Sequence, residues 1–261
     1  MAGLKIRVRG DFDLGKNLRN RPFLFEIGGG MSRILEVSGG RALCRISQKG
    51  KSVSVEGAPS GIAGEVKTLV SRCLGINDDL SEFYELADRD QVLSGFSGEI
   101  RGLRLFSAPT NWEALFCIIL SQMTGFDQYK KMVYSVYSAY GGRFPSQRDV
   151  LRAPSKLDSC GVGYRKKFIL GCAERFSGSL TKGLPGVGKY SESIYSLFAL
   201  RDFSSVYDDV LIRRILRENY GGLSLENFEK RWGGFAGIAE VCLQKFLADT
   251  RGSPPAPHPD R

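Results

Sequence analysis

The sequence predicts an α+β fold: an N-terminal antiparallel β-sheet domain with helices, followed by an all-α region. Three observations predict it. Short alternating polar–apolar runs parted by glycines fill residues 1 to about 60. From about residue 107 the apolar residues recur at helical spacing between Pro-Ser starts and a Gly-Gly stop. No apolar run approaches the roughly 20 residues a membrane helix needs.

The expected strands are Phe23–Ile27, Arg33–Val37, Ala42–Ile46 and Ser52–Val55, separated by Gly28-Gly29-Gly30, Gly39-Gly40 and Lys49-Gly50. A helix near 62–74 follows, and Asn77-Asp78-Asp79 should cap the next one. Pro109-Thr110-Asn111 opens a helix with Leu115, Cys117, Ile118 and Ile119 inside. Another covers about 126–140 and ends at Gly141-Gly142. Pro145-Ser146 and Pro154-Ser155 read as two more helix starts, since Pro suits the first turn and Ser caps it. Helices at about 165–177 and 189–200 flank a glycine-rich turn. The boundaries expected are 1–104 for the β-rich domain, 105–251 for the helical one, and a disordered tail at 252–261, rich in proline.

The net charge of +9, from 37 Lys+Arg against 28 Asp+Glu, favours a polyanionic partner, because cations set against phosphates release counterions. Six cysteines stand at 44, 73, 117, 160, 172 and 242, none closer than twelve residues to the next, so no CxxC pair exists. They read as free, mostly buried thiols, and no metal site is expected. One histidine, His258, lies in the proline-rich tail. That excludes Ser-His-Asp and Cys-His chemistry and leaves carboxylates, Lys, Tyr and backbone groups. Met1–Gly10 lacks a signal-peptide core, which suggests the cytoplasm or wherever the genome lies.

The most informative segment is Leu184-Pro185-Gly186-Val187-Gly188-Lys189-Tyr190. Two glycines two apart permit a tight hairpin whose main chain a phosphate can approach, with the positive end of the next helix behind it. Such recognition reads backbone, not sequence. Gly183 to Lys189 also fits GxxxxGK, a nucleotide-binding loop, but Tyr190 stands where Ser or Thr would hold magnesium. A plain turn between helices is the third reading. Nineteen residues after Tyr190 comes Asp209, in Asp208-Asp209-Val210-Leu211-Ile212. Alone, both aspartates read as helix caps.

In order, these pieces resemble the helix-hairpin-helix DNA glycosylases. The pieces are Gly161-Val162-Gly163-Tyr164-Arg165, the hairpin at 184–188 and the downstream aspartate. The resemblance spans about 107–250 and is nearest to 3-methyladenine DNA glycosylase II and 8-oxoguanine DNA glycosylase. It implies a repair enzyme that flips a damaged base out of double-stranded DNA and hydrolyses its N-glycosidic bond, acting as a monomer in the cytoplasm (on the nucleoid) or in a nucleus. Asp209 matches the catalytic aspartate; a register shifted by one would give that role to Asp208. Enzymes of the family that also nick the strand carry lysine where Tyr190 stands. Lys189 lies one residue earlier, about 100° around the helix, so the resemblance implies a monofunctional enzyme.

The resemblance also implies DNA contacts from Gly186, Val187, Gly188 and Lys189. The loop Leu120–Gly125 would enter the duplex, with Gln122 and Met123 the candidates to fill the gap. Tyr190, Trp232, Phe235, Gln122 and Phe126 are candidates to meet the substrate base, although core packing is the commoner fate of such aromatics and of Met123. Tyr164–Lys167 and Arg213-Arg214 could reach phosphates or simply form solvated helix faces. No organic cofactor is implied; a monovalent cation at the carbonyls of Lys182, Leu184 and Val187 is. Among bases, alkylated purines such as 3-methyladenine come first, because the Asp-Asp-x-Leu-Ile run matches those enzymes. Oxidised guanine, with possible lyase activity, is second, and mismatched uracil or thymine third. A non-catalytic DNA-binding module is the alternative from another class.

Overall fold

The structure, a computed structural model, describes residues 3–8, 10–17, 32–180 and 183–248. The expected strand Phe23–Ile27, the 252–261 tail and Lys182 lie outside them. Four strands, β1 (Leu4–Arg7), β2 (Ser32–Val37), β3 (Gly40–Lys49) and β4 (Ser52–Glu56), form one antiparallel sheet in the order β1-β4-β3-β2. Its register pairs Ile6 with Val53, Ile46 with Val55 and Leu35 with Ala42. With side chains alternating at period two, one face carries Ile6, Leu35, Cys44, Ile46, Val53 and Val55 inward, while Leu43 points to solvent. β1 was not expected: its charge–apolar alternation, Lys5-Ile6-Arg7-Val8, is that of an edge strand with one buried face.

Helices follow: α1 (Leu14–Asn17), α2 (Ala63–Cys73), α3 (Ser81–Arg89), α4 (Ser97–Ile100), α5 (Asn111–Ser121), α6 (Phe126–Ala139), α7 (Gln147–Arg152), α8 (Arg165–Arg175), α9 (Lys189–Phe198), α10 (Val210–Asn219), α11 (Leu225–Trp232) and α12 (Ala236–Ala248). Local chemistry sets many of the starts. Thr110 caps α5 by accepting the Glu113 N–H, and Ser146 with Asp149 closes a capping box on α7. Two expectations fail in detail. Pro154–Cys160 winds as a 3-10 helix with Ala153 before it, so Ser155 caps nothing. Ahead of α3, Asp79 accepts from the N–H and hydroxyl of Ser81, while Asp78 turns away to pair with Arg201.

Apolar side chains gather in two clusters. One holds the sheet, α2, Ile76 and Phe106; the other runs from Leu80, just ahead of α3, to Leu243 on α12. The segment expected as one unit, 1–104, contributes to both. Polar ties cross between them. Arg33 lies on the inward face of β2, opposite Cys44, and is buried at 2% exposure. Its guanidinium donates to both Glu113 oxygens at 2.9 Å, and Glu113 is itself buried on α5. Arg201, at φ 62°, pairs with Asp78 and donates to the Leu105 carbonyl. The chain that leads toward Asp209 is thereby tied to the end of α2 and to the segment before α5.

Candidate active site

The glycine turn between α8 and α9 is built by packing as much as by torsion. Gly186 adopts φ +73°, and a Cβ there would lie 2.5 Å from the Phe168 ring on α8. A Cβ on Gly171 would meet Pro185 at 2.8 Å. Both glycines therefore let the hairpin lie flat on α8. Inside the turn, the Val187 N–H donates to the Leu184 carbonyl at 3.1 Å. A carbonyl has two lone pairs, so that bond leaves Leu184 one for a cation. Gly188 begins α9 without a side-chain cap, unlike Thr110, Ser146, Asp209 and Ser224 at other helix starts. The positive end of α9 thus faces outward beside exposed Lys189. Among the described residues no strand precedes this turn, and the sheet ends at Glu56. That removes the nucleotide-loop reading.

The loop Gln122–Gly125 meets the same hairpin. The Gln122 amide donates to the Gly186 carbonyl at 2.6 Å and to the Ser191 hydroxyl at 3.1 Å. Arg165 holds the Gln122 carbonyl with its Nε at 3.1 Å and with its Nη2. Arg165 is therefore a buried loop clamp, neither the phosphate contact nor the solvated face weighed for it, and Lys166 pairs with Asp158. Gripped on both sides, the loop pushes Met123 into the left-handed region, φ 49°, with its side chain 46% exposed. Exposed Tyr164 lies beside the clamp, its ring under the Arg165 guanidinium.

Tyr190 projects from the first turn of α9, 41% exposed, with its ring edge-to-face on Tyr207 at 5.8 Å. Directly after Tyr207, Asp208 and Asp209 separate in role. Asp208 is exposed and ion-paired to Arg213, which holds it below the usual carboxylate range. Arg213 thus faces this carboxylate. Asp209 caps α10 by accepting the Ile212 N–H at 2.8 Å, and Gln244 of α12 donates to both its oxygens at 3.4 Å. Burial raises the Asp209 pKa against these hydrogen bonds, with Asp208 adding repulsion. Beneath it lies Glu240, fully buried, accepting the Tyr207 N–H at 2.9 Å and the Gln244 amide at 3.1 Å. Burial, with Asp209, Asp208 and Glu229 nearby, pushes Glu240 up to about 9.

The hairpin, the Gln122–Met123 loop, Tyr190 and Asp209 are therefore brought together. Of the other aromatic candidates, Trp232 is taken out by burial. Trp232, expected against the base, is core: 2% exposed and packed on Phe83 and Phe228. Phe235 is half-buried against the same Phe83, and Phe126 stacks on Tyr129 at 6.3 Å. Sequence reasoning missed Tyr207, Glu240 and Gln244. One signal for Glu240 existed: an acid inside the apolar run Ile238-Ala239-Glu240-Val241-Cys242-Leu243.

No family model and no curated protein matches this sequence. Solved structures do match it. The 3-methyladenine DNA glycosylase from Archaeoglobus fulgidus is 17% identical with a TM-score of 0.77, over 94% of this chain and 99% of that one. MBOgg1, solved with a low-affinity DNA ligand, is 18% identical with a TM-score of 0.74, over 93% and 94%. The Clostridium acetobutylicum 8-oxoguanine glycosylase/lyase, solved with double-stranded DNA containing cytosine opposite 8-oxoguanine, is 16% identical with a TM-score of 0.72, over 96% and 98%. The fold is that of the helix-hairpin-helix DNA glycosylases. In this glycosylase fold the likeness runs over both clusters, sheet included, and so covers the β-rich part that lies outside the sequence motifs.

Proposed function

We propose that the protein is a DNA N-glycosylase, hydrolysing the bond between a damaged base and its sugar in duplex DNA. One observation carries the reading: Tyr190, at the helix that follows the glycine hairpin, meets Tyr207, two residues before a partly buried carboxylate that stands in no ion pair among the described residues. A strand seated on the hairpin presents its sugar to Asp209. The base must first leave the stack, at a cost of a few kcal/mol, least for a damaged or mispaired base. Met123, held outward by its loop, fills the gap, and Tyr190 stacks on the extruded base. As the N-glycosidic bond breaks, positive charge grows on the sugar; the Asp209 carboxylate stabilises it and orients or deprotonates the attacking water.

The proposed enzyme is monofunctional, because Tyr190 offers no amine and Lys189 lies about 100° around the helix from the position where an amine would attack. Its proposed substrates are alkylated purines such as 3-methyladenine, supported by the Asp208-Asp209-Val210-Leu211-Ile212 run. Oxidised guanine is the second reading, favoured by the likeness to the Clostridium 8-oxoguanine glycosylase/lyase. The chemistry calls on no organic cofactor. A monovalent cation at the hairpin carbonyls of Leu184 and Val187 would add charge beside a phosphate. We place the enzyme as a monomer in the compartment that holds the genome.

The test is base release across a panel of lesion duplexes, with Asp209→Asn as control. The expected result is release of one or more alkylated purines by the wild type and about 1000-fold slower release by the variant, while duplex binding survives. Duplex binding without release from any lesion would make the protein a DNA-binding module. A borohydride-trapped adduct lost in Lys189→Ala would make it a glycosylase-lyase.

A further inference from the structure

The buried acid on α12 has no place in the mechanism above, yet it shares the Gln244 amide with Asp209. Glu240 is fully buried and stands in no ion pair among the described residues. Acidic groups face it from two other elements: Asp208 and Asp209 at the start of α10, and Glu229 on α11. Its own contacts are two donors, the Tyr207 N–H at 2.9 Å and the Gln244 amide nitrogen at 3.1 Å. That same nitrogen reaches both Asp209 oxygens at 3.4 Å, and the Gln244 carbonyl oxygen accepts the Tyr207 hydroxyl at 3.0 Å. Tyr207 supports Tyr190 through its ring.

We propose that Glu240 is the positioning residue of the site: from α12 it fixes the Gln244 amide and the Tyr207 backbone, and through Gln244 it aims the Asp209 carboxylate. Burial keeps Glu240 protonated at neutral pH. Asp209 then remains the one anion of the pair, and the Gln244 N–H bond holds it ionised. A second buried anion would draw the shared amide away. Glu240 touches no reacting atom; it acts through its neighbours.

The inference rests on the glycosylase reading for its consequence, but its test does not. The Asp209 carboxyl is titrated by carbon-13 NMR in the full chain. With the Gln244 bond lost, the Asp209 midpoint rises in Glu240→Leu, rises equally in Gln244→Ala, and rises no further in the double variant. Glu240→Gln keeps one acceptor and gives a smaller shift of the same sign, which serves if the leucine variant fails to fold. A midpoint that falls or stays put overturns the proposal: a fall would mean that Glu240 had been a repelling anion. In single-turnover base release, Glu240→Leu and Gln244→Ala each lose about tenfold or more, since misplacement by about 1 Å costs up to ~100-fold. Duplex affinity is unchanged. A wild type that releases no base sinks the glycosylase reading alone; the Asp209 midpoint still decides the role of Glu240.

Discussion

Three carboxylates are buried among the described residues, Asp90, Glu113 and Glu240; Asp90, like Glu113, meets an arginine, and the surroundings of Glu113 and Glu240 differ in one respect. Glu113 is closed by a cation: Arg33 meets both its oxygens at 2.9 Å, and both side chains are out of solvent. Glu240 has no cation and instead shares an amide with a second acid, Asp209. Charge compensation makes the first pair a structural tie between sheet and helices. Its absence at the second pair leaves a carboxylate whose charge is available to a positive centre. Burial raises the pKa of Glu113 as it does that of Glu240, so the shift alone does not separate the two sites; the partner does.

The comparison breaks most decisively at Asp209. Asp209→Asn should lower single-turnover base release by about 1000-fold, the scale on which preorganised charge acts, with duplex affinity retained. At the closed pair the loss should appear in stability. Glu113→Gln leaves a buried guanidinium uncompensated and should cost about 3–5 kcal/mol in denaturant unfolding, whereas Arg33→Met with Glu113→Leu should recover most of it. Gly186→Ala tests the hairpin between these extremes. At φ +73° and against Phe168, the variant should lose about 1–3 kcal/mol and bind duplex more weakly.

Titration sharpens the same contrast. Base release should fail on acidification at a pH above the usual Asp value of about 3.9, because burial raises Asp209. Glu240 binds its proton more tightly folded than unfolded. Its stabilising contribution is complete below the unfolded value of 4.5 and is lost as pH rises through about 9. The stability advantage of wild type over Glu240→Gln, followed by thermal unfolding, should therefore shrink as pH rises. The smallest effect belongs to Asp208. Its pair with Arg213 is exposed and contributes under about 1 kcal/mol, so Asp208→Asn should leave base release within a few-fold of wild type.

Local rules made much of this molecule legible. Alternation gave β2, β3 and β4, and glycine stops gave the end of α6. Caps at Thr110 and Ser146 were written in neighbouring residues. The glycine turn and a capping aspartate ahead of α10 were legible because backbone approach and helix capping are short-range demands, met within a few positions; that Asp209 makes the cap while Asp208 turns to Arg213 was not. What the sequence could not disclose were partners far apart along the chain. Arg33 meets Glu113 across 80 residues, and Gln244 meets Asp209 across 35. Trp232 was a candidate for the pocket wall because its glycine neighbours let a flat base approach, but neighbours along the chain do not say what a ring meets in the fold. Which carboxylate is silenced by a cation and which stays available depends on charges brought together through space, and only the folded chain fixes those distances.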